Sequence, residues 1–117
     1  MKTRDKEVFV LHAEVCKALA NPKRLEILHT LAGEGRQCAS DLMRATDLTK
    51  TNLSQHMRVL KLAGIVKSER EGVQVCYRLS SPKIGEACET LREFLFERLD
   101  RQGALVKETK PRRSSRK

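Results

Sequence analysis

Between Cys38 and Gly64 the chain reads "CASDLMRATDLTKTNLSQHMRVLKLAG", two stretches of helical spacing with only "DL" between them. So short a break predicts two helices folded against each other across a tight turn, the helix-turn-helix arrangement. Thr49 is placed to cap the second helix, its hydroxyl facing the backbone amide of Asn52. Leu53, Met57 and Leu60 follow at i, i+4 and i+7 and hold that helix on its partners. The rest of its amino-terminal half is polar: Asn52, Ser54, Gln55, His56 and Arg58.

Elements on either side extend the pattern. Residues 5–19 place Phe9, Ala13, Cys16 and Leu19 at helical spacing, which predicts a first amphipathic helix. In "ANPKRLEILHTLAGEG", Asn21 caps a second helix with Pro22 at its first position. Leu25, Ile27, Leu28 and Leu31 supply its buried face, and Gly33 with Gly35 ends it. Beyond Gly64 the apolar period changes to two: in "IVKSEREGVQVCYRLS", Val73, Val75, Tyr77 and Leu79 fall on one face and Gln74, Cys76 and Arg78 on the other. With a turn at Gly72, this is a β-hairpin with a charged tip. A last helix starts near Ser81, with Ile84, Cys88, Leu91, Leu95 and Leu99 as one continuous stripe. That stripe is long for a helix covering only its own small domain, and suits packing against a second subunit. The fold class is therefore mainly α with a small β-hairpin, ordered α-α-α-α-β-β-α: a winged helix-turn-helix, dimeric through its first and last helices.

Length and charge agree with one domain of this kind. The 117 residues suffice for a modest core. A net charge of +9 points to a polyanionic partner or an acidic surface. Six of the cations lie in residues 107–117 beside Glu108 alone, so the tail "KETKPRRSSRK" inflates the total. We read residues 1–104 as the folded domain and 105–117 as a basic disordered tail. There is no Trp and aromatics are only 3%, which argues against base-stacking platforms for single strands. No stretch approaches a membrane span and the first residues carry no leader pattern, so the expected location is cytoplasmic. No Ser-His-Asp ordering, phosphate-cradling glycine loop or carboxylate pair suggests an enzyme.

The polar half of the second helix of the pair has a physical role if that helix enters a major groove, which admits one α-helix and is read by side chains near its amino end. Gln55 and Asn52 can each pair two-pronged with adenine, and Ser54 and Thr51 can meet a base or a phosphate. Lys50, Arg58 and Lys61 suit phosphates, and Arg70 or Lys67 in the hairpin can clamp the neighbouring backbone or minor groove. His56 either faces phosphate or packs inward.

The ordered combination of "KALANPKRLEILHTL", "DL" followed by "LTKTNLSQHMRVLKLAGIV", and "SEREGVQVCYRL" resembles the ArsR/SmtB family of metal- and stress-responsive repressors. The resemblance covers the chain to about Leu99. It implies a homodimer on an imperfect inverted repeat of double-stranded DNA, released by an inducer, with no cofactor required for binding. It places Thr51, Ser54, Gln55 and His56 where the family reads DNA, and Arg70 at the wing. The family's CxCxxC metal motif reads "CASDLM" here: Cys38 remains, but Ser40 and Met43 stand where the other thiolates belong. Its second metal site, on the last helix, reads Ser81, Lys83, Phe94 and Glu97, leaving only the Glu.

A soft metal or metalloid inducer therefore lacks a familiar site, and the sensor question falls on Cys16, Cys38, Cys76 and Cys88. Widely spaced and without CxxC, they match neither a disulfide framework nor a zinc knuckle. Cys16 and Cys88, on the two dimer-forming stripes, are either small hydrophobes or a redox, persulfide or soft-metal switch across the interface. Cys76, on the polar face of the hairpin, and Cys38, at a helix start where the dipole favours thiolate, are the other candidates. Two rival functions fit the same residues: an architectural DNA-coating protein, whose affinity would follow salt and not sequence, and a winged-helix module that docks an acidic protein.

Overall fold

Asn21 shows how local chemistry sets the frame. Its Oδ1 accepts from the amides of Lys23 (2.9 Å) and Arg24 (3.1 Å), and Pro22 opens the helix that follows. The computed structural model describes residues 2–102. Their order is α1 (Thr3–Leu19), α2 (Pro22–Glu34), β1 (Gln37–Cys38), α3 (Ala39–Thr46), α4 (Lys50–Leu62), β2 (Val66–Glu71), β3 (Gln74–Leu79) and α5 (Pro82–Gln102). The basic tail expected over 105–117, and the boundary before it, lie outside the described residues. At the far end of α2, Gly35 takes φ 80° and its amide closes on the Leu31 carbonyl at 2.9 Å.

The turn between α3 and α4 is built from three local devices. Asp47 adopts the left-handed conformation, φ 58°, which a short polar side chain tolerates. Thr49 caps α4, its hydroxyl accepting from the Asn52 amide at 3.2 Å. From α2, the Lys23 ammonium donates to the Thr46 carbonyl at 2.6 Å, tying the end of α3 to the second helix. Thr46 is buried, and its hydroxyl is satisfied by the Leu42 carbonyl at 2.6 Å.

One core joins these parts: Ile27, Leu28 and Leu31 from α2, Leu42 from α3, Leu53, Met57 and Leu60 from α4, and Ile65, Val66 and Tyr77 from the sheet. Where α5 crosses α2, a Cβ on Gly85 would stand 2.9 Å from the Ala32 Cβ, so glycine permits the helices to approach this closely. The strands order as β1-β3-β2, all antiparallel, with Gly72 and Val73 as a two-residue loop between β2 and β3. Gly72 has φ 65°, the first-position geometry that a primed hairpin turn reserves for glycine.

Five expectations are corrected. The hairpin is part of a three-stranded sheet, because Gln37 and Cys38 pair with Tyr77 and Cys76. Cys76 is fully buried rather than on an open polar face: β3 is the middle strand, and Cys38 on β1 and Glu69 on β2 stand opposite Cys76 on either side. Cys38 and Cys76, set opposite each other by that pairing, are joined in a disulfide that the wide sequence spacing did not suggest. Finally, Val73 is 94% exposed because it belongs to the turn, and Leu25 is exposed on the side of α2 away from Ile27, Leu28 and Leu31.

Candidate nucleic-acid interface

Helical spacing divides α4 into two sides. Leu53, Met57 and Leu60 are buried in the core, while Thr51, Ser54, Gln55 and Arg58, at i, i+3, i+4 and i+7, form an exposed line on the other side. Lys50 is exposed at the amino end, and Asn52 is exposed on the adjacent line that leads to His56. The structure thus gathers these side chains on one accessible surface, with the unpaired amides of the α4 amino end beside them.

The hairpin cations are both exposed, but they do not share a face. Lys67 and Arg70 are three residues apart on β2, so they leave opposite sides of the strand. Glu69 and Glu71, which leave the same side as Lys67, are both held by Arg36 from the segment before β1, the Glu69 contact at 2.6 Å. Arg36 carried no signal in the sequence; its role exists only because β1 brings the end of α2 to the wing.

His56 is half-buried, and its Nδ1 lies 3.3 Å from Nη1 of Arg24. Guanidinium is a donor only, so Nδ1 accepts and the ring proton sits on Nε2. Arg24 is anchored by its Nε–H to the Ala18 carbonyl at 2.5 Å. Desolvation, with the Arg24 charge second, holds the His56 pKa below its ordinary value. The unfolded chain therefore binds this proton more readily than the folded one. The His56 contribution to stability is complete above about pH 6.5 and is lost as pH falls through the lower folded value. We expect urea midpoints to fall with acid in the wild type and to fall less in His56→Gln. Equal slopes would assign the acid sensitivity to another group.

Cys16 is exposed on α1 and Cys88 is half-buried on α5, where burial pushes its thiol up and Arg92 opposes the shift. The sulfurs that meet within the chain are those of Cys38 and Cys76. Glu71 joins them in a group whose ligand atoms lie within 4.8 Å of one another. While they are bonded to each other, the two sulfurs are not thiolates and hold no metal.

Comparison with known proteins follows the same outline. The family model described as bacterial regulatory protein, arsR family, matches residues 21–68, which run from the α2 cap into β2. The HTH-type transcriptional regulator Rv0081 of Mycobacterium tuberculosis is 33% identical over 101 residues, 86% of this chain and 89% of that one. The chain belongs to the ArsR family. A biofilm growth-associated repressor of Agrobacterium fabrum is 38% identical over 91 residues, covering 78% of this chain and 74% of its own. Among solved structures, the homodimeric winged helix-turn-helix DNA-binding domain Mb0332 of Mycobacterium bovis superposes with a TM-score of 0.76 at 30% identity, over 86% of this chain and 93% of that one. As an ArsR-family protein the chain is a DNA-binding transcriptional regulator and not an enzyme. None of the helices among the described residues is long and apolar enough to cross a membrane.

The ArsR metal positions do not fit an ion in this chain. Around Cys38, the Ser40 hydroxyl is spent on Gln74 Oε1 at 3.2 Å, and Met43 packs against the core. Just before α5 and along it, the corresponding places hold Ser81, Lys83, Phe94 and Glu97. Neither set supplies the three or four deprotonated ligands that a zinc or soft metalloid ion requires.

Proposed function

We propose that this ArsR-family chain is a cytoplasmic homodimeric repressor that grips an inverted-repeat operator and lets go when an inducer acts on its cysteines. The observation that carries the reading is the exposed line of Thr51, Ser54, Gln55 and Arg58 on a helix whose other side is locked into the core. A helix held this way presents rigid donors and acceptors to base edges. In this reading Gln55 and Asn52 pair with adenine, Thr51 and Ser54 meet base or phosphate, and Lys50 and Arg58 neutralise phosphates. Lys67 and Arg70 reach the flanking backbone from the wing. His56 accepts from Arg24 through Nδ1 and keeps its Nε2–H for a phosphate.

A relative named as a repressor and a neighbour described as homodimeric support the same reading. So do the apolar side chains that α1 and α5 leave uncovered on one protomer, among them Phe9, Leu11, Leu91 and Leu95. Because the family's metal positions lack their ligands, the inducer is assigned to cysteine chemistry, whether oxidant, persulfide or soft metalloid.

The test is Gln55→Ala. On an operator selected from random duplexes, the variant should lose about 1–3 kcal/mol of specific binding while keeping the wild-type melting temperature. Undiminished affinity for the selected site would remove Gln55 from the reading surface.

A further inference from the structure

The Cys38–Cys76 bond occupies a particular place in the chain. Its sequence separation is 38, and the loop it closes contains α3, α4 and β2, which together carry Lys50 through Arg70. Every residue assigned to DNA lies inside that loop. One end of the bond is the residue immediately before α3, and the other is in the middle strand of the sheet, hydrogen-bonded to the wing strand β2. The bond therefore fixes the wing to the start of the helix-turn-helix, reinforced by Ser40 on Gln74 and by Arg36 on Glu69 and Glu71.

We propose that Cys38 and Cys76 form a reversible dithiol–disulfide site whose oxidising substrate is a hydroperoxide and whose closure loosens the operator grip. The proposal rests on the repressor reading for the sign of its effect. Cys38 is half-buried and Cys76 fully buried, so Cys38 meets the oxidant. Its thiolate attacks the distal peroxide oxygen, the O–O bond breaks, and the alcohol leaves with a proton, giving a sulfenic acid. The Cys76 sulfur then displaces that hydroxyl as water and the S–S bond forms. Two thiols and one hydroperoxide become one disulfide, one alcohol and one water; the sulfurs lose two electrons and the peroxide gains them. A dithiol reductant reverses the step by exchange through a mixed disulfide.

In a thiol-reducing compartment the resting form is the dithiol. A repressor holds its operator at rest, so the closed form is the released one. Mechanically, an open pair lets the hairpin settle on the duplex backbone. A closed pair holds Lys67 and Arg70 in the pose that the free protein gives them.

The experiment uses full-length protein, reduced and freed of reductant without air, then treated with hydrogen peroxide. Peptide mapping after thiol alkylation should show a Cys38–Cys76 linkage. Operator affinity should fall about tenfold and return with dithiothreitol. Cys38→Ser should lose the response, as should Cys76→Ser and Cys76→Ala if they fold, while the Cys16→Ser/Cys88→Ser double variant should respond like the wild type. Linkage through Cys16 or Cys88 instead, no linkage under excess peroxide, or closure without a change in affinity would each overturn the proposal. If the reduced protein shows no sequence-selective binding, the repressor reading is what fails, and the peptide map still decides whether the site exists.

Discussion

Leu95→Glu should yield a folded protomer that no longer pairs and has lost its operator. Leu95 is 42% exposed on one protomer, in a run with Leu91 and Leu99 that none of the other described elements covers. Several large apolar side chains gathered on α5, with Val8, Phe9 and Leu11 exposed on α1, exceed what a solitary soluble domain leaves in water. A carboxylate buried in the centre of a dimer contact without a partner is strongly disfavoured, so the subunits separate. Binding to two half-sites is then no longer linked, and operator affinity should fall on the order of 10²- to 10⁴-fold. Sedimentation and gel shift on one sample read both effects. A variant that stays dimeric and bound would place the contact elsewhere on the molecule.

Leu60→Ala tests the other support of the reading helix. Leu60 is fully buried against the core from α4, and truncation of such a leucine costs about 2–5 kcal/mol in transfer and cavity energy. A domain of this size has a total stability of roughly 5–15 kcal/mol, so the variant should show a large drop in its urea midpoint. Leu62, two residues on and 79% exposed, serves as the control: Leu62→Ala should stay within about 0.5 kcal/mol of the wild type. Equal losses at the two positions would mean that α4 is seated differently from the orientation described above.

The frame of the site was legible because short-range chemistry writes it. Asn21 with Pro22, and Thr49 with Asn52, are caps made within four residues, and Leu53, Met57 and Leu60 follow one helical period. The reversal at Gly72 was equally local. What escaped depends on pairing between distant segments. A two-residue strand has no period to detect, so β1 was invisible, and with it the burial of Cys76, the disulfide and the hold of Arg36 on the wing. Period two marks one face of a strand as dry, but Tyr77 is buried in the core while its neighbour Cys76 is buried on the other face between its cross-strand partners Cys38 and Glu69. The Arg24–His56 contact joins residues 32 apart, and no spacing rule within either helix announces it.

The central claim is that α4 reads base edges, and a protein–DNA double-mutant cycle tests it most directly. Wild type and Gln55→Ala would be titrated against the selected operator and against versions with each A·T pair of one half-site replaced in turn. At one pair the two changes should not be additive, because the same contact is removed twice, with a coupling of about 1–3 kcal/mol. Additivity at every pair, with the variant discriminating among bases as well as the wild type, would contradict it.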